Sequence, residues 1–102
     1  MTYAEFISEF EIAHPSIAQS KMFGMACIKL NGKAVLGDWE GGVVFKLDPK
    51  DVEGALEIPC AHLFDPMGGR PMKQWVVVPS DQSVVWADLG AMALDYASSQ
   101  AK

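Results

Sequence analysis

The apolar residues at the start of the chain recur every three or four positions, the spacing that places side chains on one face of a helix. The residues that carry this pattern are Tyr3, Phe6, Ile7, Phe10 and Ala13. The segment Thr2-Tyr3-Ala4-Glu5 has the form of a capping box, in which the Thr and Glu side chains satisfy backbone N–H groups at a helix start. The helix is predicted to end at His14-Pro15, because a residue before proline is disfavoured in the helical conformation.

Extended segments follow the first helix. Two predicted strands, 21–30 and 33–39, flank Asn31-Gly32. This pair tolerates the two positive φ angles of a type I′ turn, so the sequence predicts a two-residue hairpin.

A third strand, 43–47, is predicted after a second reversal at Glu40-Gly41-Gly42. The length of this loop decides which side of the strand faces the core. Successive side chains point to opposite faces of a sheet, so a loop of two residues and a loop of three residues give opposite orientations. Either Val44 or Phe45 can therefore face the core, and the sequence leaves both registers open.

The second half of the chain contains a short helix, a loop and another strand. Asp48-Pro49 predicts an N-cap followed by proline in the first turn of a helix that closes at Ile58-Pro59. The stretch 60–71 is rich in Pro and Gly and predicts a loop, with a short extended piece around Leu63-Phe64. Residues 72–78 predict a strand.

A final helix is predicted over about 82–98, capped by Pro79-Ser80-Asp81. Its apolar stripe comprises Val85, Leu89, Met92, Ala93 and Tyr96. The element order is then α-β-β-β-α-β(-β)-α. This order predicts one α+β domain over 1–102, with an antiparallel sheet of four to five strands and helices packed on one face.

Charge and composition exclude some classes of partner. The formal net charge is −5, from 13 acidic and 8 basic residues, so we expect no direct nucleic-acid binding and no attraction to anionic membranes. No apolar run approaches the roughly 18 residues of a spanning segment, and the first residues do not resemble a secretory signal. We therefore expect a cytoplasmic protein.

A series of short motifs runs through the chain: Met22-Phe23-Gly24, Asn31-Gly32-Lys33, Val44-Phe45-Lys46-Leu47, Pro71-Met72 and Val78-Pro79. In this order, over about 20–97, the chain resembles the TfoX/Sxy N-terminal domain family. The resemblance implies a stand-alone N-terminal-type domain of a bacterial cytoplasmic protein, related to regulators of competence gene expression. It implies no catalytic residue, and Met25 stands where the family usually has a second glycine.

Cys60 and His62 come nearest to a chemical site, as metal ligands or as a nucleophilic pair. A zinc site normally presents clearly spaced pairs of ligands, and a nucleophilic pair needs a third, orienting group. The sequence supplies neither around these residues, so we expect no metal, no cofactor and no enzymatic activity. Cys27 and Cys60 are expected to be reduced cysteines packed as small apolar groups.

The glycine-rich loop is a candidate anion site. Gly68 and Gly69 can expose backbone N–H groups as a nest, while Arg70 and Lys73 can add charge-assisted hydrogen bonds to a phosphate or carboxylate. The loop lacks the Gly-Lys-Ser/Thr pattern of a P-loop, so it does not imply nucleotide binding. The alternative is a tight loop with solvated Arg and Lys.

Both sides of the predicted strands are largely apolar. Helices on one face leave the side that bears Phe23, Met25, Trp75 and Val77 in need of another cover. One hypothesis is that this side is an interface, for a homodimer or another protein. The competing interpretation is that a bent sheet folds these residues into its own core.

Together these observations favour a non-enzymatic regulatory or protein-interaction domain that acts with a protein partner or as a homodimer. The alternative is a domain that binds a small anionic ligand at Gly68, Gly69, Arg70 and Lys73.

Overall fold

The computed structural model describes residues 1–22, 24–66 and 68–100. The α-helices are α1 (Tyr3–Ala13), α2 (Pro49–Leu56) and α3 (Trp86–Gln100), with a 3-10 segment at Ser80–Val85. The strands are β1 (Ala18–Met22), β2 (Met25–Leu30), β3 (Lys33–Trp39), β4 (Gly42–Lys46), β5 (His62–Phe64) and β6 (Met72–Val78).

The strands form one antiparallel sheet in the order β1-β2-β3-β4-β6-β5. The predicted α+β class is therefore confirmed, with six strands in place of four to five. The short extended piece predicted around Leu63-Phe64 is the edge strand β5. The opposite edge is β1, which the sequence analysis did not separate.

The strand predicted over 21–30 is wrong, because the chain reverses within it. Met22 pairs with Met25 and Ala18 with Lys29, so β1 and β2 form a hairpin. Gly24 adopts a φ of 74° in this reversal, a conformation that glycine takes at little steric cost. The apolar residues on both sides of Gly24 made two short strands look like one long strand.

The β2–β3 and β3–β4 hairpins have two-residue turns. Asn31 and Gly32 have φ angles of 50° and 80°, as predicted for a type I′ turn. Glu40 and Gly41 have φ angles of 47° and 82°, and Trp39 pairs directly with Gly42. This shorter second loop settles the register that the sequence left open.

The register of β4 divides its side chains between two apolar clusters. Phe45 lies in the larger cluster beneath the helices, and Val44 lies in a smaller cluster on the opposite face of the sheet. Each strand of the sheet centre is thus buried on both faces, which explains the nearly continuous apolar sequence of β4 and of the second half of β6.

The caps of the first two helices agree with the sequence. The Thr2 hydroxyl accepts a hydrogen bond from the Glu5 backbone N–H at 3.2 Å, and the Thr2 N–H donates to the Glu5 carboxylate at 2.8 Å. These bonds lower the pKa of the Glu5 carboxyl. At α2, the Asp48 carboxylate accepts from the Lys50 N–H at 3.1 Å. Both helix starts are therefore fixed by local polar contacts.

The last helix starts differently from the prediction. Pro79 occupies the N-cap of the 3-10 segment without a side-chain hydrogen bond, and Gln82 has non-helical backbone angles. The regular helix begins only at Trp86. Its buried stripe, Trp86, Leu89, Gly90, Ala93 and Ala97, is therefore rotated relative to the predicted one.

All three helices pack on one face of the sheet, as predicted. The main cluster combines residues of α1, α2 and α3 with side chains from the four central strands. Gly90 permits a close contact between α3 and α1, since a Cβ atom there would lie 2.7 Å from Cε1 of Phe10. This packing leaves two open grooves beside α1, one against β1 and one against the 3-10 segment and α3.

Candidate functional site

The glycine-rich loop closes around a carboxylate of the same chain. The backbone N–H of Gly68 donates to Oδ1 of Asp65 at 2.8 Å, and that of Gly69 donates to Oδ2 at 2.9 Å. The N–H of Arg70 reaches Oδ1 at 3.4 Å. Successive N–H groups that converge on one anion form a nest, and the anion held by this loop is the carboxylate of Asp65.

This arrangement changes the interpretation of the candidate anion site. It brings Gly68, Gly69 and Arg70 together, but it uses their backbone donors internally. The side chains of Arg70 and Lys73 are exposed. An external phosphate or carboxylate would have to displace Asp65 or bind the two side chains alone.

Sequence reasoning missed Asp65 as a member of this site. The available signal was its position three residues before Gly68, because Asp side chains commonly accept hydrogen bonds from backbone N–H groups a few residues ahead in turns. Such a short-range contact leaves no trace in hydrophobic periodicity.

The candidate interface residues on the other face of the sheet are largely enclosed. Met25, Trp75 and Val77 expose 7%, 7% and 4% of their surface, in one cluster with Val44 and Phe64. Phe23 lies outside the described residues. This packing corresponds to the second interpretation offered above, in which a bent sheet buries these side chains itself.

Aromatic contacts join distant strands across the smaller cluster. The rings of Trp39 and Phe64 are 4.9 Å apart in an edge-to-face contact, although β4 and β6 lie between their strands. In a flat sheet the backbones of those strands would be about 14 Å apart. The register of β5 against β6 is irregular between Leu63 and Phe64, and such bulges bend a strand locally. The edge strand β5 therefore closes the smaller cluster through Phe64. At the Trp75 side of this cluster, the Lys46 ammonium lies 5.8 Å from the ring centre.

Within the described residues, no hydrogen bond joins the Cys60 thiol to the His62 imidazole. Nδ1 of His62 lies 3.1 Å from the backbone carbonyl oxygen of Cys60. Cys60 is exposed, which corrects the expectation that both cysteines are packed, while Cys27 is buried. Among residues 1–22, 24–66 and 68–100, no three His, Cys, Asp or Glu side chains are grouped closely enough to hold a metal ion.

The two cysteines are expected to differ strongly in thiol reactivity. Burial raises the pKa of the Cys27 thiol, and the thiolate is the reactive form. Native protein should therefore react with Ellman's reagent quickly at Cys60 and at least about a hundredfold more slowly at Cys27, because labelling of Cys27 requires local opening. In the Cys60→Ser variant, the fast phase should disappear. Two equally fast phases in the native protein would contradict the buried position of Cys27.

The groove between α1 and the start of α3 was not anticipated from the sequence. It has a volume of about 390 Å³ and a mainly apolar lining that includes Phe6, Phe10 and Ala87, with Val84 at its margin. Val84 is 84% exposed, an unusual position for a side chain that adjoins other apolar groups. Glu9 and His14 supply polar atoms to the same groove.

Charge is distributed unevenly around this groove. The charged side chains of α1, the 3-10 segment and α3 are all carboxylates: Glu5, Glu9, Glu11, Asp81, Asp88 and Asp95. All 8 Lys and Arg residues lie elsewhere in the chain. The side of the molecule formed by these three segments is therefore acidic, which neither the net charge nor any local motif disclosed.

Within the described part of the chain, each helix is too short or too polar to cross a membrane. Comparison of the chain with protein-family models, with curated proteins and with solved structures finds no match.

Proposed function

We propose that this protein is a non-enzymatic, protein-interaction domain that binds a basic, amphipathic segment of a partner in the groove between α1 and α3. This role is the one that the resemblance to the TfoX/Sxy N-terminal domain family implies, namely a regulatory domain in the bacterial cytoplasm. The observation that carries the proposal is the apolar groove on the acidic side of the molecule.

The apolar part of the groove supplies the contact area. Val84 projects from the 3-10 segment, and Phe10 and Ala87 lie in the lining. An amphipathic helix binds such a groove by inserting apolar side chains spaced three or four residues apart. Burial of an exposed Val side chain contributes about 1.5 kcal/mol or more, so Val84 alone accounts for roughly tenfold in affinity.

The carboxylates determine which segment is favoured. Glu9 lines the groove, and α3 carries Asp88 next to the lining residue Ala87. A segment with Lys or Arg beside its apolar residues gains complementary charge and a faster association rate, whereas an acidic segment is repelled. The same carboxylates disfavour a nucleic-acid partner on this side.

The alternative function, binding of a small anion by the glycine-rich loop, has less support. Asp65 accepts hydrogen bonds from the N–H groups of Gly68 and Gly69. A ligand must therefore compete with a tethered carboxylate for the same donors. Only the exposed side chains of Arg70 and Lys73 remain for direct contact.

A synthetic helical peptide tests the proposed groove. A fluorescein-labelled peptide of Leu and Lys, with Leu at helical spacing, is expected to bind the protein in a fluorescence-anisotropy titration. The Val84→Ser variant should weaken binding about tenfold, and Glu9→Lys should weaken it further at low salt. The matched control is Ile12→Ser, because Ile12 is 83% exposed on α1 but does not line this groove.

A second peptide, in which Glu replaces every Lys, distinguishes charge complementarity from non-specific hydrophobic binding. It should show at least tenfold weaker binding at the same salt concentration. Absence of binding by the Leu–Lys peptide, or equal losses in Val84→Ser and Ile12→Ser, would reject the groove as the binding site.

A further inference from the structure

The edge strand β1 offers a second surface, distinct from the groove at α3. It lies at the end of the sheet and pairs with β2 on one side only. At five residues it is longer than the opposite edge strand β5, which has three. A strand edge carries backbone N–H and C=O groups in the spacing that another strand requires.

The helix beside this edge leaves an apolar residue exposed. Ile12 on α1 is 83% exposed and lines a groove with Tyr3, Ile7 and Gln19 of β1. This groove has a volume of about 590 Å³, and Gln19 is the lining residue that β1 contributes. A partner that adds a strand to β1 therefore also covers Ile12.

The side chains of β1 restrict which strand fits. Gln19 lies on the helical face of the sheet, since its amide group hydrogen-bonds the Glu11 carboxylate of α1. Lys21 is two residues further along the strand and so lies on the same face. It is exposed, and it is the one charged residue in the strand.

We propose that a second copy of this chain pairs antiparallel with β1 about a two-fold axis at Ser20, which forms a homodimer with one continuous sheet. In this register Ser20 faces the partner's Ser20, and Gln19 faces the partner's Lys21. Because Gln19 contacts Glu11, the partner's Lys21 lies beside that carboxylate. The symmetry repeats this contact, so two Glu–Lys pairs flank the axis and no like charges face each other.

The same symmetry places both α1 helices on one side of the joined sheet. Each Ile12 then turns from solvent toward the other copy, so that the dimer covers the exposed side chain, the groove and the unpaired edge together. This dimer deepens the proposed interaction function by naming a second copy as one partner. It leaves the groove between α1 and α3 open for the basic segment.

Mass measurements across a dilution series test the dimer. Sedimentation equilibrium should give twice the chain mass of 11.1 kDa at high concentration. Lys21→Glu places a carboxylate against Glu11 in each half of the interface, so the dimer Kd should rise at least about tenfold. Glu11→Lys should have a similar effect, and the double variant with both exchanges should regain most of the wild-type affinity.

Lys33→Glu is the matched control, because it makes the same charge change at an exposed site in the β2–β3 hairpin, away from β1. The dimer Kd of this control variant should stay within about twofold of the wild-type value. A wild-type chain that stays at 11.1 kDa, a dimer that tolerates Lys21→Glu, or a double variant that remains monomeric would each overturn the proposal. Leu–Lys peptide binding, measured on the Lys21→Glu variant, reports on the groove independently of the dimer.

Discussion

Replacing Trp86 by alanine is expected to destabilise the fold by about 3 to 5 kcal/mol, a large part of the stability of a domain of this size. Trp86 is fully buried at the first turn of α3, and its ring lies 5.6 Å from that of Phe6 on α1. Its Nε1–H donates to the carbonyl oxygen of Val78 at 3.1 Å. One side chain therefore connects α3, α1 and the end of β6.

The Trp86→Phe variant separates the hydrogen bond from the apolar contacts. It keeps an aromatic ring but leaves the Val78 carbonyl without its indole donor, which should cost about 1 to 3 kcal/mol. Urea denaturation followed by far-UV circular dichroism gives the free energy of unfolding for both variants. Trp39→Phe serves as the control, because Trp39 is half-buried in the smaller cluster. A cost below about 1 kcal/mol for Trp86→Ala would contradict this role.

Short-range sequence signals predicted the local structure most reliably. The capping box at Thr2, the N-cap at Asp48 and the turn at Asn31-Gly32 all involve residues that are close together along the chain. Their geometry depends on a few side chains and φ angles, so residue types predict it directly. The predicted α+β class followed from placing these signals between apolar segments.

The β1–β2 hairpin shows where prediction from local sequence signals fails. Residues 22–28 are all apolar apart from Gly24, which is the one sequence sign of the turn. A lone glycine in a strand-like segment fits a bulge, a close backbone approach or a turn equally well. The pairing of Met22 with Met25 depends on what each half packs against. Sequence reasoning therefore missed the edge strand on which the proposed dimer depends.

The candidate surfaces depend on long-range geometry. Nothing local in the sequence distinguishes Trp86, which is buried, from Val84, which is exposed, because the non-helical angles at Gln82 set the phase of the last helix. Likewise, Trp75 is enclosed in a cluster to which Trp39 and Phe64, far apart in sequence but in ring contact, both contribute. Met25, Trp75 and Val77 lie in the cluster on the face away from the helices, and alternation along single strands gives no information about how deeply that cluster is enclosed.

Introducing a side chain at Gly42 is expected to be nearly as damaging as truncating Trp86. Gly42 is buried at the start of β4, and a Cβ atom there would lie 2.7 Å from the Val78 carbonyl oxygen. That oxygen belongs to the backbone of β6, so the contact cannot be relieved by a rotamer change. Gly42→Ala should therefore destabilise the fold by about 2 to 4 kcal/mol, through overpacking and displacement of β6.

The displaced atom is the same oxygen that accepts the Trp86 hydrogen bond, so the two substitutions should be coupled. If Gly42→Ala acts by moving the Val78 carbonyl away from the indole, the double variant with Trp86→Phe should lose about 1 kcal/mol less than the sum of the single losses. Urea denaturation of all four proteins completes this double-mutant cycle. If the two losses of unfolding free energy are strictly additive, the clash at Gly42 is relieved without movement of the Val78 carbonyl group.

Gly54→Ala is the matched control for a glycine-to-alanine change. Gly54 lies within α2, and a Cβ atom there would have no neighbour within 4 Å. Alanine should stabilise the helix by up to about 1 kcal/mol through its higher helix propensity. The expected changes in unfolding free energy therefore have opposite signs at Gly42 and Gly54. The reason is that a strand backbone occupies the space needed by the methyl group at Gly42 but not at Gly54. A neutral Gly42→Ala would mean that β4 and β6 are further apart at this point than the 2.7 Å contact requires.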